Sequence, residues 1–212
     1  MSDQPVVLPY RAEVLRKALH LLALALPVGL VVLGKPTALP ILVPLALVAL
    51  AADWARQRVP PVRAALHDVF APIMRLEELS PAGSPLVLNG AVWMCVSAAV
   101  CALLYPAPVA AAALSMLMTG DAAAALVGRR FGRHRYPGSP KSLEGSLAFF
   151  VTALLTGLAL AQLPVPGLAE ALPFGRLALG ALAATVIEAV PFPLNDNVRV
   201  PALAGLAMLP LG

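Results

Sequence analysis

An all-α fold, a polytopic membrane protein with about seven transmembrane helices and a cytoplasmic N-terminus, is what this sequence predicts. Three observations lead there. The 212 residues are 60% hydrophobic and 12% charged, with a mean hydropathy of +0.86, outside the range of ordinary soluble domains. Apolar runs long enough to cross a hydrocarbon core of about 30 Å recur along the chain. The basic residues fall almost entirely on alternate connections, as they do when Lys and Arg of short loops stay cytoplasmic.

The apolar runs lie at 18–34, 37–52, 86–105, 108–128, 143–163, 174–190 and 198–211. The first follows Arg16, Lys17 and His20, in the manner of a signal peptide, but no A-x-A site precedes the next run, so it reads as a retained span. The last is short and holds Pro201 and Pro210; it reads as a crossing or as a re-entrant segment, with six crossings as the alternative count. With the N-terminus inside, Arg11, Arg16, Lys17, Arg56, Arg58, Arg63, Arg75, Arg129, Arg130, Arg133, Arg135, Lys141 and Arg199 fall on the inner side, and only Lys35 and Arg176 outside. The acids divide the same way, with Glu170 alone outside. Basic residues at the inner face follow from insertion; clustered acids there do not, and they point to chemistry on that side.

One integral membrane domain, residues 1–212, accounts for the chain, with a cytoplasmic amphipathic segment near 53–85. In that segment Val62, Ala65, Leu66, Val69, Ile73 and Leu76 recur at helical spacing opposite His67, Asp68, Arg75, Glu77 and Glu78. This predicts a helix lying on the membrane surface and kinked near Pro72, reading either as a linker or as a lid over a site. Cys95 and Cys101, in one apolar run, read as packing residues rather than a disulfide or metal site. No basic run interleaved with aromatics is present, so nucleic acid is not an expected partner.

Four patches carry groups that are costly to keep at a membrane. Asp121, in "MLMTGDAAAALVGRRFG", lies about 12 Å below the inner boundary when counted back along a helix from Arg129. A carboxylate there costs roughly 2.5–3.5 kcal/mol, so it reads as functional or as paired to a neighbouring helix. Gly120, Gly128 and Gly132 around it permit close backbone approach. In "IEAVPFPLNDNVRVPALAG", Glu188 and Asp196 flank Pro191 and Pro193, which break the helix and free carbonyls beside the acids. Carboxylates with the amides Asn195 and Asn197 suit Mg²⁺, a hard cation that shares its oxygen ligands with phosphates; a capped polar turn is the other reading. In "EVLRKALH", Glu13, Lys17 and His20 share a helical face, as an interfacial anchor or as part of a site, and Arg16 can reach His20. In "SPKSLEGSLAFF", Ser139 is expected to cap a helix with Pro140 at its first position, so that Lys141 and Glu144 lie on the first turn at its mouth. Such a terminus reads equally as a phosphate cradle and as an ordinary helix start. No GxxxxGK[ST] loop occurs.

Taken in order, "EVLRKALH", "NGAVW" from Asn89, "GDAAAALVGRRFG", "SPKSLEGSLAFF" and "NDNVRVPALAG" resemble the CTP-dependent lipid kinases, the family of dolichol kinase, phytol kinase and yeast-type diacylglycerol kinase. The resemblance runs from residue 13 to residue 205. The middle of the set is similar also to phosphatidate cytidylyltransferases, whose C-terminal Lys-Asp and Pro-Gly-His-Gly-Gly-like signature is absent from this sequence.

The resemblance implies transfer of the γ-phosphoryl group of CTP to the hydroxyl of a membrane lipid alcohol, a polyprenol or dolichol, phytol or diacylglycerol, at the cytoplasmic face. Its alternatives are a cytidylyltransferase and, outside enzymes, a small lipid transporter. It implies nucleotide contacts from Gly128, Arg129, Lys141, Ser142, Gly145 and Asn197, and catalytic roles for Asp121, Glu144, Glu188 and Asp196. Of these, Asp121, Glu144 and Asp196 are the expected Mg²⁺ ligands, and Lys17, His20 and Asn89 complete the site.

Overall fold

The computed structural model describes residues 10–70 and 87–210, and the elements it describes are helices. The side chains of Glu13, His67 and Asp68, and all of Pro72, Arg75, Glu77 and Glu78, lie outside the description. Helices α1 (Tyr10–Leu22) and α2 (Ala25–Leu33) are nearly continuous. Pro27 has no N–H to continue the ladder, and at the joint Leu24 N donates to Leu21 O (3.0 Å) and Leu26 N to Ala23 O (2.9 Å) in the tighter register. Gly34 then reverses the chain at φ 75°, a backbone region that favours glycine, directly before Lys35 and Pro36. Helix α3 (Lys35–Arg58) runs until Pro60, which holds Val59 extended and starts α4 (Pro60–Phe70). The expected surface segment is therefore divided: residues 53–58 complete α3, and α4 covers 60–70.

Helix α5 (Gly90–Leu104) is capped by Asn89, whose side chain accepts from Val92 N. Lys35 Nζ caps its other end, donating to the carbonyls of Leu103 and Tyr105 at 3.1 Å each. Helix α6 (Ala107–Phe131) is the centre of the molecule. It touches α1, α2, α5, α7 (Leu143–Ala161), α9 (Phe174–Ala189) and α10 (Asp196–Ala207), and the run "VAAAALSMLM" is buried on every side. An alanine-rich sequence suits that place, because small side chains let several helices approach one axis. The short α8 (Leu168–Ala171) links α7 to α9.

Close contact between helices depends on glycines at particular places. A methyl group added at Gly120 of α6 would sit 2.8 Å from the buried ring of Phe149 on α7, and one at Gly180 of α9 would sit 2.6 Å from the Met208 side chain. Thr156 Oγ1 of α7 also donates to Thr119 Oγ1 of α6 at 2.9 Å. Gly120→Val is therefore expected to lower stability in detergent by about 1–3 kcal/mol through overpacking. Gly175→Ala, where the added methyl meets open space, is expected to leave the melting temperature nearly unchanged. Equal losses in both variants would remove the α6–α7 approach as the cause.

Each of the seven apolar runs contains helix. Among the described residues, Val14–Leu33, Lys35–Arg58, Ala107–Phe131 and Leu143–Ala161 are long and apolar enough to cross a membrane, while α5 is a shorter apolar helix. Helices α9 and α10 have 16 and 12 residues. Pro201 does not interrupt α10; it is buried inside it. Cys101 is buried and Cys95 half-buried in α5, and both are free thiols. The hairpin connections gather Arg56, Arg58, Arg129, Arg130, Arg133, Arg135, Lys141 and Arg199 at one end of the bundle and leave Lys35 and Arg176 at the other.

Candidate active site

The charged end of α6 opens into a cavity of about 280 Å³, close to the lower end of the roughly 300–1,000 Å³ of small-molecule sites. Its floor is the α6–α7 crossing. Gly128 and Gly145 face each other there, with the position of an added Gly145 methyl only 3.4 Å from Gly128 Cα and 3.1 Å from Ala124 O. Side chains at these positions would push the helices apart and close the cavity from below. Asp121 stands on the α6 wall and is ion-paired with Lys17 of α1; His20 Nε2 lies 3.7 Å from the same carboxylate oxygen. Lys17 is only 3% exposed, so its ammonium depends on this partner.

The loop between α6 and α7 delivers the second cation. Gly132 leaves α6 so close to the preceding turn that a side chain would collide with Gly128 O and Ser142 Oγ. The loop then folds back on itself: Arg135 bridges Ser142, Tyr136 N donates to Lys141 O (3.1 Å), and Leu143 N to His134 O (2.9 Å). Gly138 turns it at φ 67°. The cap of α7 is Ser142, not Ser139; its Oγ accepts from Gly145 N at 3.2 Å, and Ser139 Oγ instead accepts from Lys141 N. Lys141 thus precedes the helix, in the loop, with Nζ 2.9 Å from Glu188 Oε1 and 3.0 Å from Asp196 Oδ2. Burial works against its charge, but the Glu188 and Asp196 carboxylates outweigh it and raise its pKa above the ordinary lysine value.

Those acids are held where the prolines end α9. The freed carbonyls of Glu188 and Val190 are taken by Lys141 Nζ and Arg199 Nη2, and Arg199 also binds Asp196 and lies 5.5 Å over the Phe192 ring. Five cationic side chains (Arg16, Lys17, Arg129, Arg135, Lys141) and three carboxylates (Asp121, Glu188, Asp196) line the cavity, an excess of two positive charges.

Of the residues expected to act together, Lys17, Asp121, Gly128, Arg129, Lys141, Ser142, Gly145, Glu188 and Asp196 line this one cavity, and His20 adjoins it through Asp121. Three do not. Glu144 turns away to the loop, where its Oε1 lies 2.7 Å from His134 Nδ1 and both oxygens accept from His134 N. Asn197 donates its backbone amide to the Asn195 cap and does not line the cavity. Asn89 belongs to a separate buried joint, in which its Nδ2 donates to Asp53 Oδ1 at 2.8 Å. Asp53, 2% exposed, also accepts from Arg56 Nε (2.7 Å) and Gln57, tying α3 to the start of α5. Asp53→Ala is expected to cost about 2–3 kcal/mol of stability, read by thermal unfolding, because the N–H groups of Arg56, Gln57 and Asn89, the Asn89 backbone included, lose one acceptor at once. An unchanged melting temperature would sink that reading.

Among the described residues no three His, Cys, Asp or Glu side chains converge as a ready-made metal centre. The donor set still fits Mg²⁺, which binds through one or two carboxylates plus substrate phosphates: Glu188 and Asp196, both on Lys141 Nζ, provide hard oxygens, and Asp121 lines the α6 wall of the same cavity. Sequence reasoning missed Arg135 and Ser146 as lining residues, since nothing in their local spacing marks them.

A helical membrane protein with a cation-rich, carboxylate-bearing cavity at one end of the bundle suggests an enzyme acting on phosphates. The relatives of the chain agree with that class. It is 39% identical over 107 residues to the probable chloroplastic phytol kinase 1 of Oryza sativa, a match covering 47% of this chain and 34% of that protein. It is 36% identical over 83 residues to the dolichol kinase of Saccharomyces cerevisiae, 39% of this chain and 16% of the yeast protein. To phytol kinase 1 of Arabidopsis thaliana it is 32% identical over 107 residues, 47% of this chain and 35% of that one. The matches thus span about a third or less of these relatives' length. No family model matches, and no solved structure does. Over these parts of its length the chain is thus similar to proteins named phytol kinase and dolichol kinase.

Proposed function

We propose that the protein transfers the γ-phosphoryl group of CTP to the hydroxyl of a membrane lipid alcohol, of the phytol or polyprenol type, giving the lipid phosphate and CDP. The observation that carries the reading is the charge of the cavity. An excess of two positive charges complements a magnesium nucleoside triphosphate, which carries about −2 at neutral pH. Seven crossings with the N-terminus and the cavity on the cytoplasmic side complete the proposal; CTP then arrives from water and the alcohol from the bilayer.

Lys141, with Arg129 and Arg135 beside it, holds the phosphates; Ser142 and Gly145 keep the α7 mouth close enough for them. Glu188 and Asp196 would hold Mg²⁺, which when bound neutralises charge developing on the phosphate oxygens. Asp121 lies deepest along α6, where a hydroxyl on a membrane-buried chain would sit. It accepts the hydroxyl proton as the alcohol oxygen attacks the γ-phosphorus and the bond to the β-phosphate oxygen breaks. Lys17 and His20 hold that carboxylate in place.

The test is incubation of the purified protein with Mg²⁺, γ-labelled CTP and, separately, polyprenols, phytol, diacylglycerol and phosphatidate. Label in a lipid alcohol is the expected result. Pyrophosphate release with phosphatidate would make it a cytidylyltransferase instead, and no label with either CTP or ATP would overturn the kinase.

A further inference from the structure

We propose that the cavity is locked by its own ion pairs, and that a divalent cation and a triphosphate open it only by exchanging partners with the protein. The inference rests on the proposed nucleotide site and concerns how that site loads. Lys141 is closed on both Glu188 and Asp196, while Lys17 stays paired with Asp121. A cation arriving alone finds Glu188 and Asp196 covered by an ammonium group inside a net positive cavity. A triphosphate arriving without metal finds Lys141 covered, with carboxylates behind it. Arriving together, each takes the partner that the other releases, so the two bindings reinforce one another. The lock also serves the ligand-free protein, since Glu188 is buried and Lys141 neutralises it in place.

The exchange makes a prediction opposite to that for ordinary site residues: removing a lysine should improve metal binding. Mn²⁺ binding, followed by electron paramagnetic resonance without nucleotide, is expected to tighten about tenfold in Lys141→Met, which frees Glu188 Oε1 and Asp196 Oδ2 while Arg199 keeps Asp196 Oδ1. Reciprocally, Glu188→Gln is expected to bind inorganic tripolyphosphate in EDTA several-fold more tightly than the unaltered protein. Arg135→Gln is the control, because it removes a lining charge whose bond is to the Pro140 carbonyl and not to a carboxylate. A gain for Arg135→Gln as large as that for Lys141→Met would reduce the effect to general repulsion and overturn the lock. So would unchanged Mn²⁺ affinity in Lys141→Met. Should that variant fail to fold, the Glu188→Gln tripolyphosphate measurement decides alone, and unchanged affinity there overturns it. If the unaltered protein phosphorylates lipid alcohols yet neither variant gains affinity, only the exchange is wrong. If it binds no magnesium–CTP at all, the kinase reading fails first.

Discussion

Asp121→Asn is expected to lower phosphoryl transfer to a lipid alcohol by about 10²–10⁴-fold, the range contributed by a positioned general base. The amide keeps the shape and hydrogen-bonding reach of the carboxylate but cannot accept the hydroxyl proton. It also leaves Lys17, which is 3% exposed, without its counter-charge, so stability falls as well. Rate and stability are separated by adding Lys17→Met to Asp121→Asn. The double variant removes both charges of the pair and is expected to recover the melting temperature in detergent while turnover stays lost. Initial rates with CTP, Mg²⁺ and phytol or a polyprenol, measured beside thermal unfolding in the same micelles, provide both readouts. Full activity in Asp121→Asn would remove the carboxylate from the chemistry.

Asp121 was legible in the sequence because an acid within an apolar run is costly wherever the chain places it, so its meaning did not depend on knowing the partner. The partner itself was half legible: Lys17 stood out as charged, but its pairing across 104 positions is a tertiary fact. Glu144 shows how spacing fails. Three positions after Lys141, it would share a helical face with it if both were helical, but the Ser142 cap starts the helix at Leu143 and leaves Lys141 in the loop. The two side chains therefore point to different neighbours, Lys141 to the end of α9 and Glu144 to the loop at His134. Asn89 was misplaced for a related reason. An Asn before a helix is first of all a cap, and its second partner, Asp53, sits 36 residues earlier on another helix. In the fold, an apolar or amphipathic run lay over every described helix but the short α8; α9 ends at Ala189, ahead of Pro191, and the Asn195 cap starts α10 at Asp196, ahead of the run expected from 198.

Lys141→Ala is expected to reduce kcat/KM for CTP by about 10²–10³-fold, the loss typical of removing one preorganised group that stabilises transition-state charge. The Glu188 and Asp196 carboxylates raise the pKa of Lys141, so it stays cationic through neutral pH and well into the alkaline range. Any rise or fall of activity between about pH 6 and 9 must then come from another group, and the pH profile of a Lys141→Arg variant should keep the shape of the unaltered one. Arginine retains the charge but presents a planar fork in place of a compact ammonium, and one Nζ here serves Glu188, its carbonyl and Asp196 together. Lys141→Arg is therefore expected to recover only a small part of the lost rate. Lys141→Ala also leaves the buried Glu188 short of its main counter-charge; pairing it with Glu188→Gln should restore stability without restoring the rate. Recovery of turnover in that double variant would mean that Lys141 acts only by neutralising Glu188, and the phosphates would then have to be held by the arginines of the cavity.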